Sequence, residues 1–291
     1  MLDILIERLL QKKRTVAFPV ALPVLPPRFR GRPFIDAERC AGLGEGGCKA
    51  CATDCPTGAI RMEPEGPALD MGLCTFCGNC AQNCPHDALV FTRDWRLAST
   101  EREALVIRPA EYQNPDAVGM GDRMVEQSFP EKGGRRYILP ELPITAFRGA
   151  GGTFARSFRL RQVTAAGCGA CEADLNVLAT VVFDISRFGM DFVASPRHAD
   201  GLVLTGPVPR NMREALLKCH AAMPAPKPVL AVGACAISGG LFRLAGDEVA
   251  SGNDNLGGGA HVPVDLFIPG CPPHPYTNLD GLLRFVGLQV P

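Results

Sequence analysis

The chain has 291 residues, room for about two domains of ordinary size. Thirty basic residues balance thirty acidic ones, which leaves no basic excess for a phosphate backbone and excludes nucleic acid as the main partner. Thirteen cysteines would suit a secreted disulfide scaffold, but the opening MLDILIERLLQKKR has acidic residues within its apolar stretch and no small-residue cleavage site. No apolar run reaches the roughly 18–20 residues of a membrane span. A cysteine-rich chain of this kind reads as thiolate metal ligation in a reducing compartment.

The first predicted element is a short amphipathic helix. Leu2, Leu5, Ile6, Leu9 and Leu10 share one helical face, with Asp3, Glu7, Lys12 and Lys13 largely elsewhere. Such a helix is too brief to stand alone. Its apolar stripe has three candidate supports: its own domain, a partner subunit or a membrane surface. Pro19, Pro23, Pro26 and Pro27 then enforce an extended connection, so residues 1–32 form a helix and a proline-rich arm. Arg28, Arg30 and Arg32 read as solvated or interface arginines.

Residues 33–92 hold an internal repeat. PFIDAERC at 33–40 corresponds to PALDMGLC at 67–74, and CPTGAI at 55–60 corresponds to CPHDAL at 84–89. Two copies of one cysteine-centred unit predict a small pseudo-symmetric module. Residues 93–155 form a connector that starts with a short helix over DWRLASTEREAL and continues as irregular, Gly- and Pro-rich chain wrapping a neighbour. A glycine-rich stretch from Gly149 lacks the G-x-G-x-x-G spacing and a preceding strand, so no dinucleotide site is assigned. Over 156–291 the pattern alternates. Candidate strands at 158–165, 190–195, 201–206, 228–233 and 264–269 are interleaved with helices near 172–186, 209–222 and 277–288. This predicts a parallel sheet covered on both faces.

Cys74, Cys77, Cys80 and Cys84, followed by Pro85, match the C-x2-C-x2-C-x3-C-P run of bacterial ferredoxins. In that pattern a tight loop presents three thiolates to one 4Fe–4S cube, and the fourth comes from the other run. The first run is Cys40, Cys48, Cys51, Cys55 and Pro56, with AGLGEGG between the first two cysteines where two residues are expected. Asp36 precedes Cys40 by four positions, as Asp70 precedes Cys74, so Cys40 is the first ligand and the extra residues are a loop insertion. Glu45 as a substitute ligand is the competing reading. The crossed rule assigns Cys40, Cys48, Cys51 and Cys84 to one cluster and Cys55, Cys74, Cys77 and Cys80 to the other. Paired zinc sites are the alternative, but zinc knuckles usually pair C-x2-C units across a longer gap.

Cys168 and Cys171 in GCGACEADL, Cys235 in VGACAISGG and Cys271 in IPGCPPHP each follow a predicted strand. Open parallel sheets place ligands at these carboxyl ends. Four thiolates at one edge predict a third 4Fe–4S site, with buried structural cysteine as the bland reading. Cys219, in LLKCHAAM on a helix, takes that bland reading. His274 reads as a surface histidine, with a hydrogen bond tuning Cys271 as the alternative. No Ser–His–Asp set, H-E-x-x-H, phosphate loop, flavin or nicotinamide motif is visible, so substrate chemistry is expected on another chain.

Residues 1–110, through FRGRPF, both cysteine runs and DWRLASTERE, resemble the ferredoxin-type subunit of membrane-bound nickel–iron hydrogenases, formate hydrogenlyases and respiratory complex I. Residues 156–291 resemble the small subunit of nickel–iron hydrogenases and its complex I homologue. The shared motifs are GCGACEADL, LVLTGPVPRNM, VGACAISGG and VPVDLFIPGCPPHP. The resemblance implies an α+β ferredoxin module with two 4Fe–4S clusters followed by an α/β, flavodoxin-like domain whose four cysteines hold a third, proximal cluster. It also implies partners: a nickel–iron large subunit, integral membrane subunits of a complex I-like assembly and a soluble electron carrier. The expected place is cytoplasmic, peripheral on the inner face of the membrane. The Cys168-x-x-Cys171 spacing is the hydrogenase form, where complex I members typically have two adjacent cysteines. The covalent join is a departure, since the two halves are commonly separate polypeptides.

Overall fold

The structure is a computed structural model that describes residues 2–43, 47–111, 124–128, 136–147, 157–244, 262–288 and 290. Helix α1 (Leu2–Gln11) forms where the apolar spacing predicts it, and Ile4, Leu9 and Leu10 remain exposed. The arm after it lies on the C-terminal half of the chain. The Val16 N–H donates to Val182 O at 2.9 Å, Arg187 donates to Val16 O and Phe18 O, and the buried Phe18 ring sits edge-on to Tyr276 at 5.5 Å. Phe18→Ala removes the arm's apolar anchor. Limited proteolysis between residues 12 and 28 should then quicken while the core's melting transition stays in place.

The repeat folds as two strand pairs that exchange partners. Strand β1 (Pro33–Ile35) precedes Cys40, helix α2 (Ala50–Thr53) follows Cys48, and β2 (Ile60–Glu63) follows Cys55. In the second copy β3 (Gly66–Asp70) precedes Cys74, α3 (Asn79–Gln82) carries Cys80, and β4 (Leu89–Phe91) follows Cys84. Strand β1 pairs antiparallel with β4, Pro33 opposite Phe91, and β2 pairs antiparallel with β3, Ile60 opposite Leu69. Each strand entering one copy's cysteine run therefore lies beside the strand leaving the other's.

The connector departs from the expected short helix. Only a 3-10 turn at Glu103–Leu105 forms, leading into β5 (Val106–Ile107), which joins β3. Ahead of it the chain is extended: Ser99 exchanges two backbone hydrogen bonds with Phe267 at 3.0 and 2.9 Å. The segment covers the edge of a sheet, and an open edge is a liability that outweighs weak helix propensity. Strands β6 (Met124–Ser128) and β7 (Arg136–Pro140) form a separate antiparallel pair. The glycine-rich stretch from Gly149 and the competing ligand Glu45 lie outside the described residues.

The C-terminal sheet is parallel throughout. It comprises β8 (Phe158–Thr164), β9 (Met190–Phe192), β10 (Gly201–Thr205), β11 (Val229–Val232) and β12 (Leu266–Ile268), in the spatial order β12-β11-β10-β8-β9. The central strands GLVLT and VLAV are buried at every position, as a sheet covered on both faces requires. Helix α4 (Ala170–Leu178) is shorter than the predicted 172–186. The β-branched Thr180, Val181 and Val182 follow its end, and Asp184 takes a left-handed conformation before a 3-10 turn. Helix α5 (Arg210–Ala221) falls within a residue of expectation, α6 (Ala234–Ser238) is an addition to it, and α7 (Pro275–Phe285) closes the fold.

The two faces of the sheet serve different cores. Val203, Leu230 and Leu266 pack with Leu175 and Leu178 of α4 and Leu279 and Leu282 of α7. Leu202, Leu204 and Val229 join a cluster that continues through Ile237 into Leu69, Met71 and Leu89 of the repeat. One continuous apolar core therefore spans both cysteine-bearing halves.

Candidate iron–sulfur sites

The exchanged strands bring the ferredoxin-type cysteines together in the crossed sets. One small pocket is lined by Cys55, Cys74, Cys77 and Cys80, and another by Cys40, Cys48, Cys51 and Cys84. The backbone after each Cys-Pro turns the same way. The Ala59 N–H donates to Cys55 Sγ at 3.2 Å, and the Ala88 N–H donates to Cys84 Sγ at 3.3 Å. The two ends of the insertion in the first run are pinned together, where the Cys48 N–H donates to Ala41 O at 3.0 Å. Gly42 and Gly47 flank that hydrogen bond, and a Cβ on either would lie within 2.8 Å of a backbone oxygen across it.

The third set lies at the carboxyl edge of the parallel sheet. Cys168 and Cys171 follow β8, Cys235 opens α6 after β11, and Cys271 follows β12; Cys168 and Cys271 are exposed. The chain reverses its direction of strand addition between β8 and β10, the crevice where such sheets take ligands. The Thr205 hydroxyl, at the end of β10, donates to the carboxylate of Glu172 and so ties the cysteine-bearing start of α4 to the centre of the sheet. Gly233 has φ +90, and a Cβ there would lie 2.5 Å from Cys171 Sγ, so the site's wall is shaped around that thiol.

Electrostatics make these thiols poor anions by themselves. Burial pushes Cys80 up to about 12, and Cys51 and Cys235 to about 11, with neighbouring cysteines of the same set adding to the shift. Burial raises Cys74 and Cys171 as well. Cys55 goes the other way: burial acts to raise it, but hydrogen bonds from Thr57, Ala59 and Ile60 together outweigh that and lower it. Four such groups ionise together only around strong positive charge. Among the described residues, no three His, Cys, Asp or Glu side chains are grouped as a single metal ion would need. Four thiols that line one pocket without closing on a single-ion position fit a cuboidal cluster better than zinc, whose sulfurs crowd to about 2.3 Å from one ion.

Two residues differ from the sequence reading. His274 is half-buried: its Nδ1 accepts the Tyr276 N–H at 3.2 Å as the N-cap of α7, and its ring stacks on Tyr276. Burial lowers its pKa. Arg32 is buried and donates to Pro140 O, with Asp94 as its nearest counter-charge. Neither role has a motif, since each depends on residues remote in the chain or on a ring orientation. Cys219 lies on α5, half-buried against the shared core, away from the three sets.

The fold joins paired ferredoxin-type cysteine sets to a parallel sheet with four more cysteines at its carboxyl edge. Residues 46–88 match the model of the 4Fe-4S dicluster domain, and residues 168–285 that of the NADH ubiquinone oxidoreductase 20 Kd subunit. Among curated proteins the chain is 42% identical over 135 residues to formate hydrogenlyase subunit 7 of Escherichia coli K12, covering 46% of this chain and 50% of the relative. It is 40% identical over 118 residues to an NADH-quinone oxidoreductase subunit of Desulfovibrio desulfuricans, covering 40% of this chain and 61% of the relative. The chain thus spans about half to three-fifths of the length of these relatives. Among solved structures it is similar to a chain of the membrane-bound sulfane sulfur reductase, an archaeal respiratory membrane complex, with 29% identity, a TM-score of 0.37, and coverage of 45% of this chain and 70% of that chain.

Proposed function

We propose that this chain is the iron–sulfur electron-transfer subunit of a membrane-associated nickel–iron hydrogenase complex. The observation that carries the reading is the gathering of twelve cysteines into three four-thiol sets around one continuous core. Each set would hold a 4Fe–4S cluster, which when bound supplies a one-electron redox couple within roughly −700 to +450 mV. The chain's own part is to fix the sets relative to one another, exclude water from the inner thiols and aim N–H donors at their sulfurs. Its four parts would be the arm at 1–32, the ferredoxin module at 33–92, the connector at 93–155 and a flavodoxin-like domain at 156–291. The flavodoxin-like reading rests on the strand order, which is 2-1-3-4-5 when the sheet is numbered along the chain.

The exposure of Cys168 and Cys271 supports a third site open at a surface that a nickel–iron large subunit would cover. Purification without oxygen together with its partners, then nickel and iron analysis and a hydrogen-uptake assay, tests the reading. Iron without nickel, and no uptake, would overturn it in favour of the second reading: a subunit of a quinone-reducing or nickel-free ion-pumping complex. That alternative is favoured by the similarity to NADH-quinone oxidoreductase subunits.

No described helix is long and apolar enough to cross a membrane. Membrane association would come from partner subunits, with α1 adding to it: its exposed Ile4, Leu9 and Leu10 are accompanied by Arg8, Lys12, Lys13 and Arg14. Deleting residues 2–11 should weaken recovery in the membrane fraction and leave the iron content unchanged. Gly233→Ala should displace Cys171 and abolish the third cluster's spectroscopic signal while both ferredoxin signals persist.

A further inference from the structure

Electron transfer through this chain needs a crossing between the C-terminal set and one ferredoxin set, and the hydroxyl of Ser238 joins segments beside both. Ser238 ends α6, three residues after Cys235. Its Oγ donates to Gly72 O at 2.5 Å and lies 3.2 Å from Ala234 O. The Ala234 carbonyl belongs to the peptide bonded to Cys235, and the Gly72 carbonyl to the peptide that leads through Leu73 to Cys74. One side chain therefore links peptide groups beside cysteines of two different sets.

The approach is built into the sequence. A Cβ on Gly72 would lie 2.8 Å from Ile237 Cγ2 and 3.0 Å from Arg102 Cζ, so glycine is what lets α6 come this close. Asp70 holds the loop in place, accepting the Gly72 N–H at 2.8 Å and Arg102 through both oxygens at 2.9 and 2.6 Å. A second contact has the same form. Arg243 Nη2 donates to Thr57 O at 3.1 Å, and Thr57 Oγ1 lies 3.6 Å from Cys55 Sγ. Both contacts end beside cysteines of the same ferredoxin set.

We propose that Ser238 is a positioning residue for electron transfer, its hydroxyl coupling the Cys235 peptide to the Gly72–Cys74 segment. This rests on the functional reading above. Both contacts tie the C-terminal set to segments beside the set of Cys55, Cys74, Cys77 and Cys80. In the crossing one site gives up one electron as the other gains it; no bond is made or broken and no proton moves. A hydrogen-bonded chain of atoms couples the two sites better than a van der Waals gap of the same span.

The test uses the full chain with its clusters. Ser238→Ala is compared with the wild type, and Ser238→Thr with Ser238→Val, a pair of equal shape that differs by the hydroxyl. Iron content, cluster spectra and the rate of internal electron redistribution after a photoreduction pulse are measured on each. The expected result is full iron throughout, a several-fold slower redistribution in the alanine and valine variants, and a threonine variant close to wild type. Valine as fast as threonine at full iron content would overturn the proposal. So would loss of the C-terminal cluster from threonine and valine alike, which would reduce Ser238 to a packing role. A wild-type chain with only the two ferredoxin clusters would instead bring down the functional reading itself, and the two failures differ in the iron count before any variant is made.

Discussion

Replacing Cys40 and Cys84 together by alanine should remove one cluster, about four irons per chain, whereas replacing Cys74 and Cys84 together should remove two, about eight. The first pair is separated by the whole repeat and the second lies within one C-x2-C-x2-C-x3-C run, so proximity in sequence predicts the reverse. The exchanged strand pairs decide it. Strand β4, leaving Cys84, lies against β1, entering Cys40, while β2, leaving Cys55, lies against β3, entering Cys74. Two residues that serve one site act as a unit, so the Cys40 and Cys84 single variants and their double should show the same spectrum. Iron content and low-temperature magnetic resonance of the reduced protein read the result. If the Cys74/Cys84 double kept one ferredoxin signal and the Cys40/Cys84 double kept none, the crossed arrangement would be wrong.

Much of this organisation is legible in the residues because its rules are local. A C-x2-C-x2-C-x3-C-P run fixes three thiolates within one loop, and the repeat of PFIDAERC in PALDMGLC locates Cys40 despite the insertion after it. The central strands of the parallel sheet are short apolar runs buried on both faces, and these stand out without tertiary knowledge. Features set by distant partners are not legible in this way. DWRLASTEREAL looks helical until Phe267 offers an unpaired sheet edge, to which Ser99 bonds. Arg32 stands among exposed-looking arginines, and nothing nearby announces that it reaches Pro140. The helix α6 with Ser238 sits in a glycine-flanked stretch too short for any periodicity. That the arm lies on the C-terminal half could not be read from its prolines, which fix extension and not direction.

Arg284→Met should destabilise the fold by about 3–5 kcal/mol and should also make its stability fall with rising pH above 6, which the wild type does not owe to this site. Asp280 lies on α7 with no exposed surface, and its Oδ2 accepts from Arg284 Nε at 3.1 Å and Nη2 at 2.8 Å. Burial raises its pKa to about 6; Arg284 and Arg96 pull it down, and the neighbouring buried Asp94 pushes it up. A carboxyl held above its unfolded value favours the fold when protonated. The wild type therefore loses that contribution between about pH 4 and 6 and is flat beyond, where folded and unfolded chains are both ionised. Removing Arg284 deletes the strongest influence lowering the pKa, so the folded value moves above 6 and the loss extends toward neutrality at up to about 1.4 kcal/mol per pH unit. Asp280→Ala is the milder change, because Arg284 keeps Glu141 Oε1 and Leu142 O, each at 3.2 Å. Denaturant midpoints at pH 6.0 and 7.5, taken anaerobically on wild type, Arg284→Met and the Arg284→Met/Asp280→Asn double, measure the slope. The single variant should steepen and the double should return to the wild-type slope. Parallel behaviour of all three would mean that Asp280 reaches water, and that the helix closing the third site is held by its apolar face alone.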